Sequence, residues 1–159
     1  MFETNNLRIR AVRDADFERL HDLWNELRVQ KTLSPSYVVP LGIKFEETLR
    51  AWVSDSLFFC IIETKHDSDW IGFVNLFDVD KKNRDATLAV AQHSKFWVKV
   101  MPQMFYASSL VMPAIKVYKK IGFVEEGIRR KANWSGGEWE DIIFMAILDE
   151  EWAASTEDK

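Results

Sequence analysis

Ala114-Ile115-Lys116-Val117-Tyr118-Lys119-Lys120-Ile121-Gly122-Phe123 is the stretch whose reading decides the fold. Pro113 precedes it, where a missing N–H costs a helix nothing, and Gly122 stands where a helix ends in a left-handed residue. The spacing predicts a short helix over 113–121 with Ala114, Val117, Tyr118 and Ile121 on one face. Two runs follow, 123–133 and 138–148, around Ser135-Gly136-Gly137, and predict a long hairpin. Residues 153–159 read as a frayed polar tail.

Working back from that helix, the N-terminal two thirds supply a sheet and two more helices. Leu7-Arg8-Ile9-Arg10-Ala11-Val12 alternates with period two, as a half-buried strand does. Asp14 is a natural N-cap for a helix over 15–30, with Phe17, Leu20, Leu23, Trp24 and Leu27 on its buried face. Ser34-Pro35 and Pro40-Leu41-Gly42 mark a loop, and Phe45, Leu49, Trp52 and Val53 restore helical spacing over 45–54. The apolar run 57–63 predicts a central strand covered on both faces. Runs 70–77 and 86–92, set off by polar turns, predict antiparallel partners for it.

Composition bounds the function. The chain has 159 residues, 47% hydrophobic and 29% charged, enough for one domain with a real core, taken as residues 1–152. No uncharged stretch approaches the roughly 20 apolar residues of a membrane span, and the N-terminus lacks an apolar signal core. Cys60 is the single cysteine, in Phe58-Phe59-Cys60-Ile61-Ile62, and reads as a small buried strand residue rather than a nucleophile. The absence of a disulfide framework fits a cytoplasmic protein. A net charge of −4 argues against nonspecific nucleic-acid binding. The basic run Lys81-Lys82-Asn83-Arg84 is offset by Asp78, Asp80 and Asp85 and reads as a solvated turn. His21, His66 and His93 have no metal-ligand spacing, so no metal site is expected.

The order strand, two helices, three-stranded meander, short helix and final hairpin resembles the Gcn5-related N-acetyltransferase superfamily. Leu7-Arg8-Ile9-Arg10, Trp70-Ile71-Gly72, Gly122-Phe123-Val124-Glu125-Glu126-Gly127, and Gly137-Glu138-Trp139 with Asp141 and Met145 resemble its ribosomal-protein N-terminal and polyamine acetyltransferase branch. The resemblance implies an α/β (α+β) fold, a central, mostly antiparallel mixed sheet flanked by helices. It implies acetyl-CoA as co-substrate and a small-molecule or peptide primary amine as acceptor. It puts Val90, Ala91 and Gln92 on the strand that pairs with the pantetheine arm. Tyr118 matches the tyrosine that protonates the leaving thiolate after direct attack by the amine, and Ala114 matches the motif alanine beside the cofactor.

The same resemblance locates a gap. Where the family turns through Gln/Arg-x-x-Gly-x-Gly/Ala to hold the pyrophosphate on backbone N–H groups, this chain reads Trp97-Val98-Lys99-Val100-Met101-Pro102. Val100 adds a branched Cβ at the first small position, and Pro102 removes a donor at the second. Val111 replaces the motif asparagine. Residues 103–112 leave room for a strand but not for a crossover helix of about 10–14 residues, so the fold is expected to lack that helix. Asp78, Asp80 and Glu63, at strand ends, are the candidates for a base or amine-binding carboxylate. Three functions stand open: an acetyl-CoA-dependent N-acetyltransferase, a non-catalytic relative kept for binding or homodimerisation through its hairpin edges, and a truncated splice or gene-model product of an enzyme.

Overall fold

The computed structural model describes residues 2–33, 37–96, 112–135 and 137–157. A two-residue strand, β1 (Phe2–Glu3), pairs antiparallel with β2 (Leu7–Ala11). Helices α1 (Asp16–Asn25), α2 (Leu27–Leu33) and α3 (Phe45–Asp55) lead to strands β3 (Phe58–Thr64), β4 (Trp70–Asp80) and β5 (Asp85–Gln92). These strands lie in the order β1-β2-β3-β4-β5, every pairing antiparallel. Beyond residue 111, helix α4 (Met112–Ile121) precedes a separate two-stranded sheet of β6 (Val124–Ser135) and β7 (Glu138–Ala146), and α5 (Asp149–Glu157) ends the described chain.

Register places Arg10 opposite Ile61, Ile61 opposite Phe73 and Phe73 opposite Ala91, so these four share one face of the sheet. The helices cover that face. Phe17, Leu20 and Leu23 of α1, Val29 and Leu33 of α2, and Leu49 of α3 pack on Phe59, Ile61, Phe73, Ala89 and Ala91. Full burial of each Leu or Ile side chain is worth about 1.5–3 kcal/mol, which makes this layer the main source of stability. Trp24 lies across it, stacked 6.4 Å from Phe73 and edge-on to Phe45 at 5.9 Å.

Several expectations are corrected. The helix expected over 15–30 is two helices, because Glu26 leaves the helical region (φ −70°, ψ 116°) while its N–H closes a turn on the Leu23 carbonyl at 3.2 Å. The break turns Leu27 out to solvent and gives α2 its own buried face of Val29, Gln30 and Leu33. Asp14 does not cap α1; its carboxylate takes a hydrogen bond from Arg50 instead. β3 is the central strand, but it alternates: Phe59, Ile61 and Glu63 are buried, whereas Cys60 and Ile62 on the other face are only half-buried. On α4, Ile115 and Tyr118 are buried and Ile121 is exposed, since the helix ends there. The tail expected to fray is α5, opened by Glu151, whose carboxylate accepts the Leu148 N–H at 2.8 Å.

Two side-chain amides fix the loop between α2 and α3. Gln30 donates to the Val39 carbonyl (2.9 Å) and accepts its N–H (3.1 Å). Asn25 does the same for Leu41, at 3.1 and 2.7 Å. Each amide stands in for a neighbouring strand, satisfying backbone groups that have no ladder of their own.

Candidate functional site

Among the described residues β5 is the last strand of its sheet and pairs with β4 alone. Its last residues are held tightly. Ala91 and Gln92 are buried and Val90 is half-buried. A Cβ on Gly72 would lie 1.9 Å from the Ala91 carbonyl oxygen and 2.7 Å from the Gln92 Cα, so only glycine lets β5 come this close to β4. That close approach is what the Trp70-Ile71-Gly72 string encodes.

Past Gln92 the pairing runs one bond further, from the His93 N–H to the Ile71 carbonyl at 2.9 Å. The chain then tightens into a single 3-10 turn, Ser94–Phe96, closed by the Phe96 N–H on the His93 carbonyl. Glu26, at the break between α1 and α2, reaches this turn. Its Oε2 accepts the Ser94 N–H at 3.2 Å and lies 3.2 Å from His93 Nδ1. The helical layer is thereby tied to the end of the strand that the resemblance assigns to pantetheine.

The second component is α4. It closes with a left-handed Gly122 (φ 115°): the Phe123 N–H bonds the Tyr118 carbonyl at 2.8 Å and the Gly122 N–H bonds the Lys119 carbonyl at 3.2 Å. The Phe123 ring folds back to 5.5 Å from the Tyr118 ring. Tyr118 is buried among Ile115, Met145, Phe123 and Ile143, and burial pushes its phenol above the ordinary tyrosine range. It therefore holds its proton throughout the physiological range.

Two of the three carboxylates singled out from sequence are committed elsewhere. Glu63 is buried and bound to Arg10 Nε at 2.8 Å. Asp80 caps its turn, accepting the Asn83 N–H (3.0 Å) and the Lys82 N–H (2.8 Å); led by the Asn83 bond, these hold its carboxyl below the usual range. This is the solvated turn expected of the Lys81–Arg84 cluster. Asp78 sits exposed at a positive φ beside the register shift in β4. Among the described residues no group of three or more His, Cys, Asp or Glu side chains is placed to hold a metal. Trp97, Val98, Lys99, Val100, Pro102 and Val111 lie outside the described residues; Ala114 lies on α4 with its side chain outside the description.

The pair Glu26 and His93 escaped the sequence reading. The signal was slight: a glutamate where an amphipathic helix breaks, and a histidine directly after a strand. Nothing in the spacing of either predicts that they meet.

No family model matches the chain. A stretch of 41 residues, 26% of this chain, is 46% identical to the uncharacterized N-acetyltransferase YnaD of Bacillus subtilis (strain 168), and spans about a quarter (24%) of that protein's length. Among solved structures, the spermidine N-acetyltransferase of Vibrio cholerae in complex with CoA and spermine superposes with a TM-score of 0.79 at 18% identity, covering 94% of this chain and 99% of that one. The spermidine/spermine N-acetyltransferase SpeG of the same organism, in complex with manganese ions, gives a TM-score of 0.70 at 19% identity over 95% and 97% of the two chains. The sheet flanked by helices, the short helix ended by Gly122 and the final hairpin together are the Gcn5-related N-acetyltransferase fold.

Proposed function

We propose that this protein transfers the acetyl group of acetyl-CoA to a primary amine, by direct attack of the amine nitrogen on the thioester carbon. The observation that carries the proposal is Tyr118. The phenol stands on a helix fixed by its C-terminal turn, at the position where the resemblance puts the proton donor to the leaving thiolate. The outer side of β5 supports the same reading. Among the described residues β5 has a strand on one side only, and the outward-facing backbone groups on its other side suit an extended pantetheine arm, as a further strand would.

Residues 97–102 fit the pyrophosphate less well. Val100 and Pro102 supply bulk and a missing donor where small residues with free N–H groups are needed, so weak cofactor affinity is part of the proposal. Lys99 is the one cation in that stretch able to meet the phosphates.

The acceptor we assign is a monoamine or a peptide N-terminus. Residues 27–44 contain Arg28, Lys31 and Lys44 and no carboxylate, and the exposed part of the loop presents Tyr37, Val38, Val39 and Ile43. A polycation such as spermine requires opposing carboxylates, which this segment lacks.

Titration with acetyl-CoA in a thermal-shift assay, followed by thiol release with an amine panel, tests the reading. Cofactor at 100 times its Kd stabilises by about 2.7 kcal/mol. No shift at millimolar acetyl-CoA overturns the proposal. That outcome would favour the second reading, to which Val100 and Pro102 point: a cofactor-blind relative retained for binding or self-association.

A further inference from the structure

We infer that His93 and Glu26 form a proton-operated latch. It fastens the break between α1 and α2 to the end of β5 when the imidazole is charged, and loosens when the imidazole is neutral. The latch rests on contacts within the fold and holds whether or not the chain transfers acetyl groups.

One nitrogen carries it. His93 Nδ1 lies 3.2 Å from Glu26 Oε2 and accepts the Lys95 N–H at 3.4 Å. A carboxylate oxygen only accepts and a backbone N–H only donates, so Nδ1 satisfies one of them at a time. With a lone pair on Nδ1 the Lys95 bond is made, and no proton lies between Nδ1 and Glu26. With a proton on Nδ1 the Glu26 bond is made and is charge-assisted, and the Lys95 N–H loses its acceptor. Imidazolium, protonated on both nitrogens, gives this second arrangement.

The neutral ring gives the first. Among the described residues the Lys95 N–H has no acceptor other than Nδ1, whereas Glu26 keeps the Ser94 N–H at 3.2 Å in either state. A neutral ring therefore serves the turn best with its proton on Nε2, which the 42% exposed side chain can offer to water.

The backbone around the ring is already fixed. The His93 N–H is held by the Ile71 carbonyl and the His93 carbonyl accepts the Phe96 N–H, each at 2.9 Å. From β4 the ring's residue thus meets a neutral carbonyl. From the turn comes Lys95, whose ammonium lies 4.8 Å over the Phe96 ring. From the helical layer comes Glu26, and among the described residues it is the one charged side chain in contact with the imidazole.

The other end of the latch is a hinge between two helices. The Glu26 N–H closes the last turn of α1 on the Leu23 carbonyl, and its carbonyl accepts the Gln30 N–H at 2.9 Å as α2 begins. In the neutral state one bond, from Ser94, joins this hinge to the 3-10 turn. In the charged state there are two, one of them ionic. Proton uptake at His93 thereby sets how firmly the helical layer holds the turn that leads the chain out of the sheet.

The test is NMR of the 15N-labelled full chain titrated from about pH 8 to about pH 5, the range in which imidazole takes up its proton. At the alkaline end the His93 ring is expected to carry its proton on Nε2, and at the acidic end on both nitrogens. The Lys95 amide proton is expected to shift upfield with the ring's own midpoint, and the Asn25 and Leu27 amides at the hinge to move with it. His93→Gln and Glu26→Gln are each expected to abolish the hinge response. A neutral ring protonated on Nδ1, or a Lys95 amide that stays still while the ring titrates, overturns the inference, and the wild-type chain alone decides both. A hinge response that survives in the two variants overturns it as well.

Discussion

Arg10 grips Asp16 through two parallel hydrogen bonds, Nη1 to Oδ2 at 2.7 Å and Nη2 to Oδ1 at 2.9 Å, while its Nε holds Glu63 at 2.8 Å. One guanidinium thus joins β2, the start of α1 and β3 across the helix-covered face, with all three side chains less than a tenth exposed. Burial works to raise the Asp16 carboxyl, but the bonds from Arg10 and from the Arg13 N–H (2.8 Å) outweigh it and hold the group below the usual carboxylate range.

Replacing Arg10 by Met strands two buried carboxylates, and a loss of about 3–5 kcal/mol is expected in urea unfolding. The pH dependence has a definite sign. A folded-state pKa below the unfolded value of about 3.9 gives stability that is present above pH 4 and lost as pH falls through the folded value. Asp16→Asn should therefore be less stable than wild type at neutral pH, with the gap narrowing as the medium becomes acidic. A gap independent of pH would contradict this account.

Gly72→Ala tests the closeness of β4 and β5. The added methyl would meet the Ala91 carbonyl oxygen at 1.9 Å, and backbone cannot yield as a flexible side chain does. The strands must part at the point that aims Gln92 and His93. The expected cost is about 3 kcal/mol or more, at the upper end of overpacking effects. A wild-type urea midpoint would show that β5 tolerates displacement.

The loop between α2 and α3 depends on Asn25 and Gln30 more than on its own turns. Asn25→Ala and Gln30→Ala each strip two hydrogen bonds from Leu41 or Val39. Each should cost about 1–3 kcal/mol and admit proteases near Tyr37, where the side chain is already 90% exposed. Limited proteolysis at matched stability separates the local effect from global unfolding. Cleavage unchanged from wild type would mean that the amides are incidental.

These elements differ in how far sequence discloses them. The strands β3 to β5, helix α3 and the helix ended by Gly122 follow local rules, periodicity and a left-handed cap, and were legible within a residue or three. Glu26 ends α1 where apolar spacing continues through Leu27, because its side chain finds Ser94 and His93 far along the chain. Burial of Glu63 likewise depends on Arg10, a partner that alternation on one strand does not reveal. The place of Tyr118 on a buried helix face was legible from its spacing with Ala114 and Ile121. The contact of Glu26 with His93 was not, since two polar groups that meet only in three dimensions leave no periodic trace.

Tyr118→Phe separates packing from chemistry. Phenylalanine keeps the ring against Ile115, Met145 and Phe123, so the core around α4 is retained. If the hydroxyl supplies the thiolate proton, kcat should fall about 100- to 10,000-fold while the KM for acetyl-CoA holds. The alkaline behaviour carries a second sign. Burial raises the folded phenol pKa above the unfolded value near 10, so its contribution to stability is intact below pH 10 and is lost as pH climbs toward the folded value. Tyr118→Phe lacks that titration, so its alkaline unfolding should be flatter than that of wild type. Undiminished kcat in the variant removes Tyr118 as the acid, whatever the alkaline melt shows. A fall in kcat together with the flatter melt ties the buried proton to the chemistry.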